Sequence, residues 1–144
     1  MINEFKPFID RLKSAGLRPT RQRLAISKIL FGRKDTFHFT IENLKKIVER
    51  KTKIKISLAT LYNTVHAFKE SGYLKEISLK SNKSFFDTNI KSHHHFYDQD
   101  TGNLIDINNK DLQVKKIPLA PSGKKIKTID IVIGIANSKH IQKK

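Results

Sequence analysis

After Gly72 the hydrophobic pattern of this chain changes period, and that change limits the architectures open to it. Before the glycine, apolar residues recur every three to four positions; after it, short alternating runs are separated by turn residues. Residues 3–15 read as a helix, with Phe5, Phe8, Ile9 and Leu12 at helical spacing and Gly16 as its stop. Thr20, with Pro19 just outside, is a natural N-cap for a helix through Leu24, Ile26, Ile29, Leu30 and Phe31, which Gly32 ends. Thr40 caps a third helix with Ile41, Leu44, Ile47 and Val48 inside. Its outer face and exit are basic, with Lys45, Lys46, Arg50, Lys51, Lys53 and Lys55. Ser57 caps a fourth, whose stripe of Leu58, Leu61, Val65 and Phe68 runs to Gly72 at the C′ position. "YLKEISL" and "KSFFD" read as two strands about the turn "KSN".

Helices followed by a hairpin make the winged form of helix-turn-helix. The expected fold class is therefore α+β: an N-terminal winged helix-turn-helix domain over residues 1–88, then a small α/β dimerisation domain over residues 93–144. In the second part, "HHHFYD" and "NLIDI" are strand candidates on either side of "QDTG". "IKTIDIVIGIA" alternates, with Ile129, Ile131, Ile133 and Ile135 on one side, and "NKDLQVKKI" reads as a short helix stopped by Pro118 and Pro121. So small a lobe cannot bury that strand alone. Pairing with a second copy covers both the strand and the sheet edge, which predicts a homodimer.

The chain carries no cysteine, which excludes disulfides, thiolate zinc sites and cysteine nucleophiles. Its formal charge is +16 at a pI of about 10.1, which favours a polyanionic partner. The surplus sits mainly in residues 1–90, where 19 basic and 8 acidic residues give +11; residues 91–144 carry 10 and 5, giving +5. No apolar run is long enough to span a membrane and "MINEFKPFID" is too polar for a signal peptide, so the expectation is a cytoplasmic protein with no membrane partner.

The fourth helix is the candidate reader of duplex DNA. Ala59, Thr60, Asn63 and Ala67 point away from its apolar stripe, the first three in the N-terminal half, where a recognition helix meets base edges. Asn suits adenine, and the Ala and Thr methyl groups suit the thymine methyl, so the predicted operator is AT-rich. Tyr62 is a candidate phosphate or base contact. Arg18, Arg21 and Arg23 cluster at a helix start suited to phosphates, and Lys80 and Lys83 stand at the wing tip.

The histidine run poses a separate question. On a strand alternate side chains share a face, so His93 and His95 point together and His94 points away. Two such imidazoles form half of a metal site. A distant His and carboxylates would complete a set suited to zinc, iron or manganese, while neutral imidazole also serves as an axial haem ligand.

"LRPTRQRLAI", "SLATLYNTV", "KSFFDT", "HHHFYD" and "NLIDI" stand in the order found in the ferric uptake regulator superfamily. From about residue 11 to 135 the chain most resembles the iron response regulator branch. The resemblance implies a dimeric, DNA-binding transcription regulator of iron and haem homeostasis, not an enzyme, responsive to metal or haem; the hypothesis is that DNA binding occurs under iron or haem scarcity and is lost when haem binds. The alternative is a regulator of the same superfamily that senses manganese, iron or zinc without haem. Matching the superfamily's sensor site residue by residue, "HFTIENL" offers His38, "FFD" offers Asp87, the His strand offers His93 and His95, and "NLIDI" offers Asp106 as metal ligands. The branch implies haem binding through His93, His94 and His95. Asp98 and Thr101 stand where many members carry the Cys-x-x-Cys of a structural zinc, so no structural zinc held by four cysteines is expected. Asn63 stands where an Arg is common.

Overall fold

Residues 3–79 and 83–141 are described by the computed structural model. They divide into two units, Met1–Ile90 and Lys91–Lys144. Among the described residues no helix is long and apolar enough to cross a membrane.

The first unit starts with α1 (Lys6–Ser14), α2 (Arg21–Phe31), the two-residue strand β1 (His38–Phe39), α3 (Ile41–Thr52) and α4 (Leu58–Glu70). Each expected cap is made: Thr20, Thr40 and Ser57 accept from the backbone N–H of Arg23, Asn43 and Thr60. Each removes one orphan donor from a helix start, a contribution of about 1 kcal/mol. Two strands follow, β2 (Lys75–Ser78) and β3 (Ser84–Asp87), and the sheet order is β1-β3-β2 with antiparallel pairs throughout. Leu12, Ile26, Leu30, Leu44, Val48, Leu61, Val65 and Phe68 meet Phe39 and Phe86 in one core. Each of the larger side chains so buried contributes roughly 1.5–3 kcal/mol. The two phenylalanines stack at 5.7 Å, so the core grips β1 and β3 together.

Two features of this unit depart from the sequence reading. β1 was not foreseen. Leu58 is 44% exposed rather than part of the buried stripe, and Thr64 is buried in its stead, its hydroxyl donating to the Thr60 carbonyl at 2.7 Å. Leu58 is the first residue of α4 and lies at the edge of the stripe, where no neighbour covers it. The "KSN" turn, with Lys80, lies outside the described residues.

The second unit is a three-stranded sheet of β4 (His94–Asp98), β5 (Leu104–Ile107) and β6 (Val132–Ile135), in the order β5-β4-β6. β5 returns antiparallel through a turn closed by Gly102 at φ +78°, whereas β6 runs parallel to β4. A parallel neighbour needs a long connection, which residues 99–131, β5 included, supply. The sequence reading is corrected here too. The strand begins at His94, not His93. The long apolar run forms a strand only over Val132–Ile135. "NKDLQVKKI" holds one 3-10 turn, Asn109–Asp111, in place of a helix. Val114 and Ile117 are exposed, so a helix there would have no packed face to stabilise it. A short helix α5 (Ser138–Ile141) follows β6.

Candidate functional site

His38 is held by β1, and its partner across the ladder is Asp87, the last residue of β3. The His38 imidazole Nε2 lies 3.2 Å from Asp87 Oδ2. The register is pinned on both sides: the Phe37 N–H donates to the Thr88 hydroxyl at 3.0 Å, and the Thr88 N–H returns to the Phe37 carbonyl at 3.3 Å. Asp87 is fully buried, and its other oxygen accepts from the Asn89 N–H at 2.8 Å. A buried carboxylate is stable only when its lone pairs are answered, and both oxygens have partners.

In the second unit His95 and Asp106 are register partners on β4 and β5. His95 Nε2 lies 3.1 Å from Asp106 Oδ1, and His93 Nε2 lies 3.5 Å from the same oxygen. The two rings stand 4.4 Å apart, and the residues are 7% and 2% exposed. His93 Nδ1 lies 2.6 Å from the Lys91 carbonyl. A carbonyl can only accept, so Nδ1 carries a proton and Nε2 is the ring nitrogen turned to the Asp106 carboxylate. A proton or a cation between that nitrogen and the carboxylate oxygen makes the contact attractive. A backbone carbonyl that fixes the ring of a ligand histidine is a recurrent feature of metal sites. Imidazole nitrogen and carboxylate oxygen together suit zinc, iron(II) and manganese(II).

His94 is set apart from this pair. Its Nδ1 accepts from the Ile131 N–H at 3.1 Å, just before β6. The proton of its neutral ring is then on Nε2, leaving no free lone pair for a haem iron. The three histidines proposed for haem thus divide into two that converge and one that helps hold the sheet. Asp98 and Thr101 are joined directly: Asp98 Oδ1 accepts from the Thr101 N–H at 3.2 Å and the Asp100 N–H at 2.9 Å. Those hydrogen bonds hold the Asp98 carboxyl below its ordinary pKa and close the turn.

The candidate DNA contacts separate as well. Ala59, Tyr62 and Asn63 are exposed on one face of α4, and Tyr62, 43% exposed, stacks at 5.9 Å on His66. His66 in turn meets the edge of the Phe86 ring, which ties this helix to the wing strand. Thr60 is half-buried, with its hydroxyl 3.0 Å from that of the Ser57 cap, so its methyl is the group left to read a base. Leu58 adds an exposed apolar group beside Ala59 that the sequence reading assigned to the core. Arg18 and Arg21 are exposed, but Arg23 donates to the Arg18 carbonyl at 3.0 Å and shapes the loop before α2. Lys83 is exposed at the wing, and Lys80 lies outside the described residues.

Comparison with known proteins places these features in a wider group. Residues 14–134 match the Ferric uptake regulator family. The peroxide operon regulator of Bacillus subtilis is 34% identical over 104 residues, covering 72% of this chain and 70% of that protein. Among solved structures, the ferric uptake regulator from Francisella tularensis with iron superposes with a TM-score of 0.68 at 15% identity, covering 86% of this chain and 94% of that one. The ferric uptake regulator from Pseudomonas aeruginosa with manganese gives 0.63 at 20% identity, covering 89% and 96%.

Proposed function

This chain belongs to the ferric uptake regulator family, and we propose that its hold on an AT-rich operator is set by a divalent ion at His38, Asp87, His93, His95 and Asp106. Regulators of this family bind DNA, act as dimers and are not enzymes. Supporting the dimer, the second unit leaves Ile105, Val114, Ile117, Leu119 and Ile126 exposed, with Leu119 at 96%.

The observation that carries the reading is the convergence of His93 Nε2 and His95 Nε2 on one Asp106 oxygen, with the His93 ring oriented by the Lys91 carbonyl. His38 and Asp87 offer a second imidazole–carboxylate pair on the wing. The ion, when bound, supplies positive charge that all five donors can share. Its occupancy would then set how tightly the paired reading helices of a dimer hold the duplex. Operators for such dimers place half-sites one helical turn apart, about 34 Å. The ferric uptake regulator structures with iron and with manganese support an ion of this class.

Of haem and an ion alone, we take the ion alone. His93 and His95 are nearly buried and aimed at Asp106, and His94 is engaged with Ile131. The test is fluorescence anisotropy of an AT-rich palindromic duplex with metal-stripped and manganese-loaded protein. Coupling of the usual size changes affinity about 5–150-fold; equal affinities overturn the reading. A haem titration accompanies it, and a Soret band lost in His93→Ala would restore haem sensing.

A further inference from the structure

We propose that a groove in the first unit binds an amphiphilic carboxylate, of the class of medium-chain fatty acids. The groove lies between α2 and the end of α3, with Phe5 at one side, and its volume is about 460 Å³. That falls in the ordinary range of small-ligand sites. Leu24, Ile29 and Ile54 give it a largely apolar lining, in which Arg21, Lys28 and Lys51 also stand. Among the described residues none of the lining side chains is acidic.

The charge is held where an amphiphile needs it. Lys28 Nζ lies 4.4 Å from the centre of the Phe5 ring, which fixes one ammonium directly over an apolar wall. α2 starts at Arg21 and runs for 11 residues, so its positive end adds to the same rim. A phosphate ion would leave the apolar lining wet, and a plain hydrocarbon would leave three cations unanswered. A carboxylate with an aliphatic tail matches both surfaces. Arg21 is also a candidate phosphate contact, so an occupied groove and a bound duplex would draw on the same guanidinium.

The experiment is calorimetric titration of the full chain with decanoate below its micelle concentration, against 1-decanol and acetate. One decanoate is expected per chain, bound about tenfold or more tighter than 1-decanol, as befits a charge-assisted hydrogen bond. Acetate should give no saturable heat. Lys28→Glu and Lys51→Glu, both at exposed positions, should each weaken decanoate by a similar factor with unchanged circular dichroism. Should one variant lose its fold, the other decides. Absence of saturable decanoate binding, equal binding of 1-decanol or of acetate, or wild-type affinity in the folded variants overturns the proposal.

Discussion

His38 and Asp87 face each other across the β1–β3 ladder, and the imidazole Nε2 comes within 3.2 Å of a carboxylate oxygen that is wholly buried. The pair is therefore part of the wing's structure as well as a candidate ligand pair. Asp87→Ala removes the acceptor of the Asn89 N–H and the partner of His38 together. The expected cost is about 1–3 kcal/mol, read as a lower urea midpoint with an unchanged slope.

In the second unit, His95→Ala or Asp106→Asn should lower manganese affinity by about 10–100-fold or more, since the loss of even supporting contacts has effects of that order. His94→Ala should leave that affinity near wild type and instead loosen the approach of β6, because its ring accepts from the Ile131 N–H. Competition against a metal-binding dye reads the first effect, and amide exchange over Val132–Ile135 reads the second.

Asn63 is exposed in the N-terminal half of α4, and Asn63→Ala should reduce discrimination between A·T and the other pairs at one operator position by ~1–3 kcal/mol. Lys46→Ala should instead weaken all duplexes alike and flatten the salt dependence. Competition binding with single-base operator variants separates the two.

Lys69 on α4 donates to Glu76 on β2 at 2.7 Å. Burial pushes the Glu76 carboxyl up, but hydrogen bonds from Lys69 and Ser84 outweigh it and leave the pKa below its ordinary value. The hydrogen bond to Glu76 raises Lys69. A depressed carboxylate contributes stability above its unfolded pKa, ~4.3 for Glu, and loses it as pH falls through the folded value. The raised ammonium contributes below ~10.4 and loses its share as pH rises through the folded value. Both groups are partly solvated, so the pair is worth about 0.2–1 kcal/mol. Glu76→Gln should lower the thermal midpoint slightly at pH 7 and make stability less steep below pH ~4.3, as followed by circular dichroism.

The helices were legible because their caps and stops are local: Thr20, Thr40, Ser57 and Gly72 act within one turn of themselves. β1 was not, since two residues carry no period and His38–Phe39 becomes a strand only through pairing with residues 86–87. The five candidate ligands were reached through likeness to a family rather than through spacing. His38 and Asp106 are 68 positions apart in the sequence, too far for any periodicity to link them. Nor could sequence reveal that Arg23 turns to the Arg18 carbonyl or that His94 turns to Ile131, because both depend on which backbone group folding brings within reach. The helix expected in residues 109–117 failed for want of a packed face, a property of the surroundings rather than of the segment.

Cobalt(II) titration of the full chain, followed by visible absorption, asks whether the proposed ion draws on His38 as well as on His95. The His38→Ala and His95→Ala variants should each lose the wild-type cobalt bands and bind about 10–100-fold or more weakly. Wild-type bands and affinity in the His38→Ala variant overturn the five-ligand proposal.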